Sequence, residues 1–159
     1  MSLQAPSPSA TGAGTRPTTV LVVDDQPDVR EIIVQLLKEG GYATLAAAGA
    51  EEAMRYLSGG NGVDVVLTDV TMPDQTGVEL AYRIQQDFPS VAIAILSGDI
   101  SEIERSVIAR AGVPFLKKPI MADALYSAIR EAIRQRNQRL CSCRDPPDSE
   151  REHDKRSSA

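Results

Sequence analysis

Four short apolar runs in this chain each stop at residues able to do chemistry. Val20-Leu21-Val22-Val23 runs into Asp24-Asp25, and Val65-Val66-Leu67-Thr68 runs into Asp69. Val91-Ala92-Ile93-Ala94-Ile95-Leu96 meets Ser97, and Phe115-Leu116 meets Lys117-Lys118-Pro119. The runs are rich in Val, Ile and Leu and do not alternate with polar residues. That is the pattern of strands buried on both faces of a parallel sheet. Between them the apolar residues return at helical spacing. Val29, Ile32, Ile33, Leu36 and Leu37 follow the i, i+3, i+4, i+7, i+8 stripe. Pro27 suits the first turn of that helix and Gly40-Gly41 ends it.

The same alternation continues to Ile133. A second strand is predicted over Tyr42–Ala47, then a helix over Ala50–Leu57 stopped by Ser58-Gly59-Gly60-Asn61-Gly62. A third strand covers Val63–Thr68. A helix covers Thr76–Phe88 with Leu80, Ala81 and Ile84 inward, and Pro89 closes it. After the fourth strand, Val91–Leu96, Ser101-Glu102-Ile103-Glu104 forms a capping-box pattern. The helix it opens has few apolar positions: Ile103, Val107 and Ile108. A short fifth strand, Val113–Leu116, precedes a helix with Leu125, Ala128, Ile129, Ala132 and Ile133 on one face, continuing towards Arg139. Five strand–helix units joined by right-handed crossovers predict an α/β fold, a doubly wound parallel sheet. Such sheets bind ligands outside the carboxyl ends of their strands. The acids, the hydroxyl and the ammonium would therefore gather on one edge.

Composition narrows what that edge can bind. From Thr19 to Ile133 there are 17 acids against 9 bases, a net of −8 within a chain of net −5. An acidic core argues against nucleic acid as a direct ligand and favours a divalent cation. No stretch approaches the roughly 20 apolar residues of a membrane span. Met1 to Pro17 is rich in Ser, Pro, Ala, Thr and Gly without a basic or apolar region, so it does not read as a secretory signal. Residues 1–18 are expected to be a disordered leader, residues 19–133 the folded domain, and residues 134–159 a helix extension and polar tail, disordered from Cys141 onward. Arg134, Arg136 and Arg139 in that extension read as a solvated helix end. Cys141 and Cys143 lack the four-ligand spacing of a zinc site and are poorly placed to pair. They read as tail thiols in a reducing cytoplasm.

Adjacent carboxylates after the first strand and a third after the third strand make a hard oxygen site, suited to magnesium. Asp24-Asp25 before Pro27 also reads as a helix cap, but a cap needs only one acid. An aspartate can attack phosphorus to give an acyl phosphate, and phosphoryl transfer depends mainly on positioning and charge neutralisation. Lys118 and Ser97 could supply an ammonium and a hydroxyl opposite the cation. Taken singly, Lys118 reads as a surface lysine, Ser97 as a turn residue and Phe115 as a core residue.

In order along the chain, Val-Val-Asp24-Asp25, Leu-Thr-Asp69-Val-Thr-Met-Pro73, Gly77, Leu-Ser97-Gly and Lys118-Pro119 resemble the receiver domains of two-component response regulators. The resemblance spans Thr19 to Ile133 and implies a flavodoxin-like (βα)5 fold with strand order 2-1-3-4-5. It implies that Asp69 accepts a phosphoryl group from a histidine kinase or a histidine phosphotransfer protein. Asp24, Asp25, Asp69 and the Thr71 backbone carbonyl would hold Mg2+ or Mn2+. Ser97 would be the switch hydroxyl, Phe115 the switch aromatic, and Lys118 the partner of the phosphoryl oxygens, preceding a cis proline bond. Thr71 and Asp99 fall where the family tunes dephosphorylation. The segment Ala111-Gly112-Val113-Pro114-Phe115 is one residue shorter than the common family spacing, which trims the loop before the fifth strand.

The implied output is a change in the face made by helix four, strand five and helix five, which is also the implied homodimer surface. No DNA-binding helix-turn-helix pattern follows Ile133, so the resemblance implies a stand-alone regulator or the receiver of a larger protein such as a hybrid sensor kinase. The implied protein is a cytoplasmic signalling domain that only phosphorylates and dephosphorylates itself. An aspartate-nucleophile phosphatase of the haloacid-dehalogenase type uses similar groups. Its nucleophile, however, lies in an Asp-x-Asp pattern after the first strand, which Asp24-Asp25-Gln26 does not provide. A flavin or nucleotide binder would need a Gly-rich loop after the first strand and more aromatics. A degenerate receiver serving only as a docking module is the remaining alternative.

Overall fold

The computed structural model describes residues 16–73 and 75–144. The remainder of the expected leader and tail lies outside the described residues. Five strands, β1 (Thr19–Val23), β2 (Ala43–Ala47), β3 (Val65–Asp69), β4 (Ala92–Ser97) and β5 (Phe115–Lys117), alternate with five helices. The helices are α1 (Pro27–Glu39), α2 (Ala50–Ser58), α3 (Gly77–Asp87), α4 (Glu102–Ala111) and α5 (Ala122–Arg144). All strand pairs are parallel, and the order across the sheet is β2-β1-β3-β4-β5. This is the doubly wound, flavodoxin-like arrangement expected from the sequence.

The apolar runs lack alternation because both of their faces are covered. Alternate residues of one strand enter different cores. Leu21 and Val23 pack with Val66, Ile93 and Ile95 beneath α2, α3 and α4, through Ala53, Leu57, Leu80, Ile84 and Ile108. Val20 and Val22 pack with Leu67, Ala94 and Leu96 beneath α1 and α5, through Ile33, Leu37, Leu125 and Ile129. Each large aliphatic side chain fully buried in this way contributes about 1.5–3 kcal/mol.

Local chemistry sets the ends of several helices. The hydroxyls of Thr76 and Ser101 accept from the backbone N–H groups of Glu79 and Glu104, and both glutamates reach back to the cap N–H, so α3 and α4 open on complete capping boxes. Gly112 closes α4 in the left-handed region, at φ 66°, a conformation that costs a side-chain-bearing residue energy. Its N–H satisfies the carbonyls of Ala109 and Ile108.

Two boundaries differ from the sequence reading in ways that matter. β3 starts two residues later than Val63 and includes Asp69, which pairs with Leu96 in the ladder. The phosphoacceptor candidate is therefore held by sheet register. The last helix also runs through Arg144, past the point at which Cys141 onward was expected to be disordered. No Gly or Pro interrupts the chain between Pro119 and Pro146. Glu131 accepts from Arg134 Nε at 2.9 Å and from Gln135 Nε2 at 2.9 Å along the helix surface. Side-chain pairs three and four residues apart support this polar stretch of the helix, and Arg136 Nη1 donates to the Ser90 carbonyl at 3.2 Å. Cys141 is exposed on this helix.

Candidate phosphoacceptor site

Among the described residues, the buried polar or charged side chains are Asp24, Thr68, Asp69 and Ser97. All four lie at the carboxyl ends of β1, β3 and β4, which are adjacent central strands. Burying charge at one end of a sheet is costly unless the groups are paired or bind a cation. Here they are partly paired. The Lys118 ammonium reaches Asp69 Oδ1 at 3.3 Å and Asp24 Oδ2 at 3.4 Å. The Lys118 backbone N–H donates to the Ser97 carbonyl at 2.9 Å, so the end of β4 sets where the lysine leaves the sheet. The Lys118–Pro119 bond is cis.

Carboxylate oxygens of Asp24, Asp25 and Asp69 lie within 4.8 Å of one another. Asp24 and Asp69 are buried and Asp25 is exposed. A hard, oxygen-only cluster open to water on one side suits a small divalent cation that keeps some of its waters. The residues present therefore fit Mg2+ or Mn2+. The acids are not spent on capping α1. Its cap residue is Gln26, with no side-chain cap hydrogen bond. Asp24 Oδ1 instead accepts from the Gln26 N–H at 2.9 Å, an Asx turn that orients the carboxylate.

Burial pushes the Asp69 carboxyl above its ordinary range; the Lys118 ammonium pulls it down and the Asp24 carboxylate pushes it up. A buried carboxyl shifted in this way beside an ammonium and a second carboxylate marks a candidate functional group.

The Ser97 hydroxyl is engaged by a neighbouring backbone. It donates to the Asp99 carbonyl at 3.0 Å and accepts from the Asp99 N–H at 3.1 Å. Asp99 itself is exposed. Thr71 is also exposed, two residues beyond Asp69. Phe115 is half-buried on β5, pairs with Ile95 in the ladder and packs against the α2–α3–α4 core. The shortened segment before it is accommodated by Gly112 and by the Pro114 carbonyl, which accepts from the Ile95 N–H at 2.9 Å.

One supporting residue was not anticipated from the sequence. Arg30 Nη1 donates to the Asp24 carbonyl at 2.6 Å and braces the β1–α1 turn. An arginine one turn into an amphipathic helix reads as a solvated charge. Only its spacing of six from Asp24 hints at the contact.

A family model described as a response regulator receiver domain matches residues 20–130. The chain belongs to the response regulator receiver family. The transcriptional regulatory protein GlrR of Escherichia coli is 33% identical over 121 residues, covering 76% of this chain and 27% of the relative. The response regulator protein PilR of Pseudomonas aeruginosa is 34% identical over 119 residues, covering 74% and 26%. This receiver chain thus spans about a quarter of the length of these curated relatives. A cyclic di-GMP phosphodiesterase of Thermotoga maritima is 32% identical over 119 residues, 74% of this chain and 32% of that protein. Among solved structures, a receiver domain protein from Clostridium thermocellum superposes with a TM-score of 0.67 at 31% identity, covering 78% of this chain and 98% of the other. A response regulator receiver protein from Pseudomonas putida gives 0.68 at 30% identity, covering 75% and 99%. The receiver is a signalling module homologous to phospho-accepting regulators, and the haloacid-dehalogenase reading falls away with the family assignment.

Proposed function

We propose that Asp69 is the phosphoacceptor of this receiver, loaded from the phosphohistidine of a histidine kinase or a histidine phosphotransfer protein. The observation that carries the proposal is the shared ammonium of Lys118, within 3.4 Å of both Asp24 and Asp69 at the edge of an acidic, cation-sized cluster. An Asp69 oxygen attacks phosphorus, and the P–N bond breaks with its electron pair returning to the imidazole. Asp24, Asp25, Asp69 and the Thr71 carbonyl would hold Mg2+ or Mn2+, which when bound neutralises phosphoryl oxygens. Lys118 exchanges its carboxylate contact for a phosphoryl oxygen. Ser97 gives up its bonds to the Asp99 backbone and turns to donate to another. Phe115 follows into the space that Ser97 vacates. Thr71 and Asp99 flank the acyl phosphate from exposed positions and tune the access of hydrolytic water.

The readout in this proposal is the α4–β5–α5 face. Ile103 is 77% exposed and Val107 43% exposed on α4, so the face carries apolar surface for a second copy or an output partner. The acidic core leaves nucleic acid to other chains. Among the described residues no helix is long and apolar enough to cross a membrane. We place the domain in the cytoplasm, where its kinase donors act. It turns over no external substrate and only acquires and loses its own phosphoryl group.

Incubation with Mg2+ and acetyl phosphate, followed by intact-mass measurement, tests the assignment. Wild type gains one phosphoryl group, Asp69→Asn gains none, and Lys118→Met reacts about 100-fold more slowly, as expected for loss of one preorganised charge partner. A folded wild type that gains nothing would make this a docking module without a phosphoryl cycle.

A further inference from the structure

We infer that Gly77 is a positioning residue for the Asp69 carboxylate, and that any side chain at this position would shift the peptide carrying it. This rests on the reading of Asp69 as phosphoacceptor and metal ligand. A methyl group built on Gly77 would lie 2.1 Å from the Asp69 carbonyl oxygen, 2.8 Å from the Asp69 carbonyl carbon and 3.1 Å from Val70 Cα. These are backbone atoms at the end of a buried central strand, with no flexible side chain to swing aside. The approach is also fastened. Gly77 N–H donates to the Val70 carbonyl at 2.8 Å, and Val70 N–H donates to the Leu96 carbonyl at 3.0 Å. The Asp69 carbonyl also accepts from the Thr68 hydroxyl at 3.1 Å.

The glycine serves no conformational need of its own, because it is the first residue of α3 and is not among the positive-φ glycines. Glycine is also the poorest helix former after proline. What it provides is proximity: α3 docks onto the Asp69–Val70 peptide and fixes its plane. The plane of that peptide sets the direction of the Asp69 side chain relative to Asp24 and Asp25. A methyl group at 77 forces either the start of α3 or the Asp69–Val70 peptide to move. Either movement reaches the Asp69–Val70 peptide, because the Gly77 N–H bond to the Val70 carbonyl ties the helix start to it.

The test compares Gly77→Ala with Thr76→Ala, which weakens the same helix end without touching Asp69. Two readouts are taken: the backbone amide shifts of Asp69 and Val70 without any cation, and the affinity for Mn2+. Gly77→Ala is expected to move both amide resonances and to weaken Mn2+ by about 10- to 100-fold, the range for groups that orient metal ligands. Thr76→Ala is expected to lower thermal stability and to leave the Mn2+ affinity near wild type. If Gly77→Ala does not fold in buffer, the comparison is made in trimethylamine N-oxide, which favours the compact state. Unmoved Asp69 and Val70 amides in a folded Gly77→Ala, or an equal loss of Mn2+ affinity in Thr76→Ala, overturns the positioning role. A wild type that binds no Mn2+ overturns the metal-site reading instead, and the amide shifts alone then decide the role of Gly77.

Discussion

Asp69 is held between opposing influences. Burial favours its neutral form, the Lys118 ammonium 3.3 Å away favours the anion, and Asp24 opposes it. The net direction is upward, so burial and Asp24 together outweigh the lysine. The sign of the stability effect follows. In the window between the unfolded carboxyl value of about 3.9 and the raised native value, the native state binds more protons than the unfolded state, so stability falls as pH rises. Ionised Asp69 therefore costs stability at neutral pH when no cation is present. In chelator, Asp69→Asn is expected to be more stable than wild type to urea at pH 7, and the gap should close below about pH 4. A gap that does not change with pH would show that burial is not the dominant influence on this carboxylate. Much at this scale was readable from residue order alone. Asp24, Asp25, Asp69, Ser97 and Lys118 were visible as the polar ends of apolar runs. What was not readable is the state of each group. That Ser97 is tied to the Asp99 backbone, and that Lys118 bridges two carboxylates, depends on rotamers that no spacing rule specifies.

The elements show the same division. The sheet order follows from five buried strands joined by helices, and the apolar stripes of α1 and α5 mark the faces that meet it, except that Ile32 of the α1 stripe is exposed. Register was less legible. A run such as Val63–Thr68 carries no mark of which residue begins pairing, and the sheet's neighbours placed the end at Asp69. The end of α5 is not legible in composition, which suggests a polar tail from Cys141, because the intrahelical pairs of Glu131 that support its surface lie outside the apolar pattern. The energetic weight of α5 is near its start. Ile129 is fully buried against the sheet. Its replacement by alanine is expected to cost about 2–5 kcal/mol in chemical denaturation. A loss below about 1 kcal/mol would mean that α5 is not part of the cooperative core.

For the whole molecule, the design is a rigid sheet with charge gathered at one edge and a lightly packed helix beside it. Among the residues of α4, only Ile108 is buried, whereas Ile103 and Val107 face outward. Ligand-induced shifts need a segment of low local stability, and α4 meets that requirement better than α1 or α3. If the α4–β5–α5 face pairs two activated copies, light scattering with Mg2+ and beryllofluoride should show a dimer for wild type and a monomer for Ile103→Glu. A monomer in both would assign the face to a different partner. The central claim is that the acidic edge binds a phosphoryl group on Asp69 and that Ser97 and β5 respond. Amide NMR with Mg2+ and beryllofluoride, a phosphoryl mimic, tests it most directly. The expected result is saturable shifts centred on Ser97, Phe115 and Lys118 in wild type and none in Asp69→Asn. Unchanged spectra of the folded wild type, or identical shifts in Asp69→Asn, would contradict it.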